Sequence, residues 1–260
     1  MCDCQRTRRD VLRGALGVAG AAVLAACGRP GAPLPPAALP TVQVAPGLHI
    51  HPRDTWGADL PPKGFMGAED VRFLLVHHTA TSNVVADPRS VVRQTYAWHT
   101  SSAKGWPDIC YHFMIGPDGS VWEARAGSLA GPVVADATGG NQGFAQLVCL
   151  IGDFTSQLPT PAAQDSLMRT LIFLADRYDI DTDPSATASF VSRGSNKFRA
   201  GTPVTTSTVS GHRDVTYTGC PGDLGYTMLD GWRRRVHASR LVRDEPGPLR
   251  SAVRLGVHLS

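Results

Sequence analysis

The stretch Gly211-His212-Arg213-Asp214, followed by Gly219-Cys220-Pro221-Gly222, sets an imidazole and a thiol eight positions apart in a 260-residue chain with only six cysteines. Imidazole nitrogen and thiolate sulfur are ligands for a borderline-soft cation. Two ligands do not hold a catalytic metal, so a third must come from elsewhere. His77 and His78 close a nearly continuous apolar run, Val71-Arg72-Phe73-Leu74-Leu75-Val76. Alternate strand residues share a face, so Phe73, Leu75 and His77 point one way and Leu74, Val76 and His78 the other. A histidine at the C-terminal end of a buried strand is placed to project into a cleft. His77, His212 and Cys220 would make a two-nitrogen, one-sulfur set that suits Zn²⁺, with a fourth position left to water. Taken singly, each is more simply a strand-end or loop side chain with no metal role.

The elements that must position these side chains can be read around them. The Val71–His77 run reads as a strand covered on both faces. Asp87-Pro88 supplies a helix N-cap and first residue, and the helix then carries Val92, Tyr96 and His99 on its buried or groove-facing side. Tyr111 to Ile115 reads as a strand, turned by Pro117-Asp118-Gly119 into a hairpin partner at Ser120–Glu123. Leu147 to Ile151 is a third core strand. Thr160-Pro161 starts the longest helix, whose Leu167, Leu171, Leu174 and Tyr178 form one core stripe. Residues 181–203 read as a long polar loop, Thr205–Gly211 as a strand delivering His212, and Tyr226–Val236 as a closing helix. Strands alternating with helices give an α/β domain with a central mixed β-sheet flanked by helices and the site at the floor of a surface groove.

The N-terminus has a different character. Arg8-Arg9 and Arg13 precede a short apolar run that ends at Leu24-Ala25-Ala26-Cys27. This pattern describes a secretory signal, too short for a permanent span. The paired arginines resemble a twin-arginine export signal, and the last four residues a lipobox in which Cys27 is lipidated. Residues 1–26 are thus expected to be the signal, 27–49 a Pro/Ala/Gly-rich tether, 50–236 the folded domain and 237–260 a tail. The expected location is outside the cytoplasm, anchored to the membrane through a lipid on Cys27. Cys110 and Cys149 sit in strand-like runs, either as buried free thiols or bridging adjacent strands. The formal charge of +3, with no basic cluster interleaved with aromatics, argues against a nucleic-acid partner. The chain is expected to act as a monomer.

Read together, Arg53-Asp54-Thr55-Trp56-Gly57, Val76-His77-His78-Thr79, Gly105-Trp106-Pro107-Asp108-Ile109-Cys110-Tyr111-His112-Phe113, Gly119-Ser120-Val121-Trp122-Glu123, Ile151-Gly152-Asp153-Phe154 and the His212–Gly222 stretch occur in one order. This series resembles the zinc amidases of the peptidoglycan recognition protein and phage-type amidase family, over about residues 50–236. The resemblance implies an N-acetylmuramoyl-L-alanine amidase, a Zn²⁺ hydrolase that cuts the amide between the lactyl group of muramic acid and the L-Ala of the stem peptide. Its partners would be peptidoglycan or muropeptides. On the family pattern His77, His212 and Cys220 are the zinc ligands and Tyr111 is the catalytic tyrosine. Thr218 stands where some members carry Lys and others Thr. His99, Trp106 and Asn141 would line the sugar–peptide groove.

An amide is a poor electrophile. Zinc can polarise its carbonyl and lower the pKa of water, while the Tyr111 hydroxyl and, more weakly, Thr218 donate to the developing oxyanion. Two departures stand out: Ala135–Asn141 lacks the histidine that many members carry there, and Cys110 replaces a usual glycine. The alternatives are a non-catalytic peptidoglycan-binding lipoprotein and a structural zinc domain. Binding-only relatives typically lack the cysteine or the tyrosine, both present here, and structural zinc usually takes four protein ligands.

Overall fold

The computed structural model describes residues 38–140 and 143–244. The expected signal, Cys27, most of the tether, Asn141 and the last residues of the tail lie outside them. A short ribbon, β1 (Val42–Ala45) and β2 (Leu48–Ile50), precedes the helical turn α1 (Asp54–Gly57). Then follow β3 (Phe73–His78), α2 (Pro88–His99), β4 (Phe113–Ile115), β5 (Val121–Glu123), β6 (Ala145–Leu150) and α3 (Pro161–Arg177). The last part comprises β7 (Thr187–Val191), β8 (Pro203–Ser207), β9 (Val209–Gly211), α4 (His212–Val215), α5 (Asp223–Thr227) and α6 (Leu229–Asp244). The central sheet runs β5-β4-β6-β3-β9, antiparallel only at β5, which makes it mixed as expected. No helix among the described residues is long and apolar enough to cross a membrane.

Both helices that start at Pro are capped as their sequences require: Asp87 accepts from Arg89 N–H and Thr160 from Ala163 N–H. The α3 stripe buries Leu167, Leu171 and Leu174 against Leu74, Val76, Val148 and Leu150, with Trp232 and Val236 of α6 completing the cluster. Each of these side chains contributes about 1.5–3 kcal/mol of hydrophobic burial. The opposite face of the sheet is covered in two parts. One packs Val92 and Tyr96 of α2 with Met114, Trp122 and Cys149; the other packs Phe190 and Val204 of the β7–β8 ribbon with Phe73, Leu75 and Leu147. The alternation expected of β3 holds: Leu74 and Val76 face α3, Phe73 and Leu75 the ribbon.

Five expectations are corrected. Residues 181–203 are not a plain loop but hold β7, paired antiparallel with β8. The exposed positions hold Thr187, Ser189, Val191, Pro203 and Thr205 and the buried ones Phe190, Val204 and Thr206, so no apolar alternation marks the strands. The expected strand Thr205–Gly211 is two strands that change sheets at Thr208, whose carbonyl accepts from Leu74 N–H of β3 while its N–H donates to Ala186. The closing helix is α5 plus an α6 that runs past residue 236. Beyond Val236 it is held by Arg240, which donates to Ile180 O and pairs with Asp176, so no apolar period announces it. With β1 beginning at Val42, the folded part extends beyond 50–236 at both ends. Finally, the strand expected from Tyr111 begins at Phe113, because the chain turns at His112, whose ring accepts from Leu147 N–H at 2.7 Å and bonds Val133 O at 2.8 Å.

Beside His112, Gln146 of β6 donates to Glu69 Oε1 at 2.5 Å. That carboxyl is fully enclosed, and burial lifts its pKa to about 8, leaving it protonated at neutral pH.

Candidate metal centre

His77 is the next-to-last residue of β3, which pairs with β6 on one side and with β9 on the other. β9 runs parallel to β3 and delivers His212 as the first residue of α4, so the two imidazoles meet with ring centroids 4.3 Å apart. Cys220 returns on the following loop, its Sγ 3.6 Å from His77 Nδ1 and 3.3 Å from the His78 N–H, which donates to it. Donor atoms of His77, His212 and Cys220 all lie within 4.8 Å of one another. His78 points to the other face, where its Nδ1 accepts from Phe154 N–H.

The Cys-Pro-Gly sequence has a local reason. Gly222 has φ +89°, and a Cβ there would collide with the Phe154 carbonyl. The same Phe154 carbonyl accepts from Leu224 N–H at 3.0 Å, which docks the loop that carries Cys220 onto the segment following β6. Asp214 accepts from Gly211 N–H and from the Tyr226 hydroxyl, and Arg213 donates to Gly219 O and to Asp223.

Electrostatically the centre is a set of neutral donors. Burial, reinforced by His212, holds the His77 pKa well below its ordinary value; burial brings His212 down to about 4. Burial likewise pushes the Cys220 thiol up to about 12. His77 Nε2 is buried with no hydrogen-bond partner. A converging set of two lone-pair nitrogens and a thiol that needs a nearby positive charge to ionise fits a bound cation. The group could hold a metal ion.

The centre opens into a groove of about 750 Å³. Tyr111 reaches this groove from just before β4, its ring 5.2 Å from that of His77. Strand alternation extrapolated from Phe113 and Ile115 would set it in their core. The turn at His112 moves it to the other face, where it packs between the α2 and ribbon clusters. Burial, with Cys149, Cys110 and Cys220 adding to it, holds the Tyr111 hydroxyl well above its usual pKa, so it remains a donor. Thr218 lines the same groove and accepts from Cys220 N–H at 3.2 Å, which leaves its own hydroxyl proton directed elsewhere.

His99, at the end of α2, accepts from Cys110 N–H through Nδ1, and its ring sits edge-on to Trp106 and Tyr111. Burial lowers its pKa to about 4, so it too is neutral. Cys110 and Cys149 are both buried and free. Asp136, in the stretch that lacks a histidine, pairs with buried Arg125 at 2.9 Å. Among the groove residues that escaped the sequence reading are Trp98, 55% exposed, and Lys104, whose Nζ lies 5.0 Å from the Trp106 ring and 5.7 Å from that of Trp98. Their adjacency to His99 and Gly105-Trp106 was the available signal.

The family profile described as N-acetylmuramoyl-L-alanine amidase matches residues 67–223. A human protein named N-acetylmuramoyl-L-alanine amidase is 33% identical over 208 residues, which cover 76% of this chain and 30% of the human one. The chain thus spans under a third of that relative's length. Among solved structures, Drosophila peptidoglycan recognition protein SD aligns with a TM-score of 0.55 at 21% identity, covering 71% of this chain and 95% of that one. A Tyr-to-Phe mutant of Drosophila PGRP-LB, solved in complex with tracheal cytotoxin, gives 0.54 at 23% identity, covering 70% and 94%.

Proposed function

The chain belongs to the N-acetylmuramoyl-L-alanine amidase family, and from that premise we propose that it hydrolyses the amide between the lactyl group of N-acetylmuramic acid and the L-Ala of a peptidoglycan stem peptide, with Zn²⁺ as cofactor. The observation that carries this reading is the convergence of His77, His212 and Cys220 at the foot of an open groove that also holds Tyr111 and Thr218. The tracheal cytotoxin bound by the Drosophila neighbour supports a muropeptide as ligand.

His77, His212 and Cys220 would hold the metal, which when bound supplies Lewis-acid chemistry and a lowered pKa for water. The protein's own groups do the rest. Tyr111, kept protonated by burial, donates its hydroxyl to the scissile carbonyl oxygen as negative charge develops there, and Thr218 adds a weaker donor. Neutral His99, with Nδ1 occupied by Cys110 N–H, presents its Nε2 proton to the groove as a fixed donor. Trp106 packs against that imidazole, and Asn141 is assigned to the same sugar–peptide groove by its place in the sequence.

The deciding experiment incubates purified protein with muropeptides that carry the intact lactyl–L-Ala amide and reads products by mass spectrometry. Wild type is run zinc-loaded and chelated, beside Cys220→Ser. Release of free stem peptide from the zinc-loaded wild type alone is the expected result. Binding without release in every sample would make the chain a non-catalytic peptidoglycan-binding protein.

We also infer export and membrane anchoring through a lipid on Cys27, on the strength of Arg8-Arg9 and Leu24-Ala25-Ala26-Cys27. Metabolic labelling with a fatty-acid analogue should mark the wild type and miss Cys27→Ala. A Lys-Lys replacement of Arg8-Arg9 that leaves secretion intact would exclude the twin-arginine route.

A further inference from the structure

The polar segment between α3 and β9 supplies no ligand, yet its loop ends against the chain that joins two of them. α4 is a single turn, closed by Thr216 N–H to His212 O at 3.2 Å. The carbonyls of Arg213 and Asp214 are therefore left without a helical partner, as at any helix end. Lys197, in the loop between β7 and β8, fills both: its Nζ donates to Arg213 O at 3.0 Å and to Asp214 O at 2.8 Å. The ammonium sits 5.9 Å from the ring of Tyr217, in the segment that follows α4.

Asn196, next to it, treats Tyr217 as a neighbouring strand would. Its Nδ2 donates to Tyr217 O at 3.0 Å, and its Oδ1 accepts from Tyr217 N–H at 2.8 Å. The loop that carries the pair is itself tied down. Ser195 N–H donates to Phe198 O, Ser195 Oγ accepts from the N–H groups of Lys197 and Phe198, and Ser192 N–H donates to Thr202 O. Arg193 N–H donates to Gly140 O at 2.7 Å, and Phe190 and Val204 root the ribbon in the sheet. A connected path of bonds thus runs from buried ribbon to the 213–217 turn. From the other side, Arg213 N–H holds Cys220 O at 3.2 Å.

We propose that Lys197 is a positioning residue for the metal centre, acting with Asn196 to fix the turn between His212 and Cys220 and hence the spacing of those two ligands. The proposal rests on the metal reading above. It assigns a role to a segment that touches neither the ligands nor the groove floor. Contacts that orient ligands from outside are worth about 10–100-fold in metal affinity.

The test measures zinc affinity by competition with a chromogenic chelator for wild type, Lys197→Met, Lys197→Arg and Asn196→Ala, with thermal unfolding of each recorded in chelator. Lys197→Met is expected to weaken zinc binding about 10–100-fold while its metal-free unfolding temperature stays near that of wild type, and Lys197→Arg to recover most of the loss. Unchanged affinity in Lys197→Met overturns the proposal. So does a loss that follows the metal-free unfolding temperature and is not recovered by arginine, since that marks a purely structural loop. Should Lys197→Met not fold, Asn196→Ala decides: weaker zinc binding at preserved metal-free stability supports the proposal, and unchanged affinity overturns it. A wild type that takes up no zinc overturns the metal reading and this inference together, whereas a zinc-binding wild type with unaltered variants overturns only the latter.

Discussion

The two faces of the central sheet are built on different plans. On one, α3 and α6 lie over the strands and a continuous apolar cluster runs from Leu48 and Ile50 through Val76 and Val148 to Trp232 and Val236. On the other, α2 covers one half and the β7–β8 ribbon the other, and the buried residues fall into two clusters. Tyr111 packs against both, and His77 lies beside it. A face roofed by one layer can only be core. A face roofed by two unlike elements leaves a seam where polar side chains on the strands reach a groove without opening the core beneath.

The largest test of this contrast lies on the continuous face. Trp232, fully buried there, should on replacement by Ala lower the unfolding free energy by about 3–5 kcal/mol in denaturant titration. A loss within the range of ordinary surface changes, about 0.5 kcal/mol, would break the comparison. Tyr111→Phe probes the seam: kcat should fall about 10²–10³-fold with the unfolding midpoint unmoved. If the midpoint falls while turnover stays, Tyr111 belongs to the core after all.

Glu69 sharpens the contrast through pH. Its folded pKa of about 8 exceeds the ordinary 4.5, so the folded protein holds a proton that the unfolded chain releases. Its stabilising contribution is complete below pH 4.5 and is lost as pH rises towards 8, with a slope on the order of 1 kcal/mol per pH unit. Glu69→Gln should flatten that slope in denaturation curves taken across this range. The smallest effect is expected at the α2 cap, where Asp87→Ala should cost about 1 kcal/mol, seen as earlier thermal unfolding.

Much of this plan is legible in the residues. Alternation along Phe73–His78 sets the two histidines on opposite faces and the family resemblance picks out His77, while Leu167, Leu171 and Leu174 announce the roof of the other face. What stays hidden follows from how it is held. β7 and β8 bury one large apolar side chain each, Phe190 and Val204, among threonines and serines, so period two does not show. The last turns of α6 are fixed by Arg240 rather than by an apolar stripe. The turn that redirects Tyr111 depends on backbone bonds to the His112 ring from distant residues, Leu147 and Val133. Lys197 acts on backbone carbonyls, which carry no residue type for a motif to reveal.

β3 is paired along both edges, with β6 from Phe73 to His78 and with β9 through Leu74 to Val76. Deuterium is expected to enter its amides only when the domain comes apart, and the 213–220 turn, closed by side-chain bonds from Lys197 and Asn196, to exchange through smaller openings. His77 is then held for as long as the fold lasts, whereas Cys220 closes the turn. A metal ion bound there would then be expected to leave through openings of that turn, sooner than the folded domain unfolds.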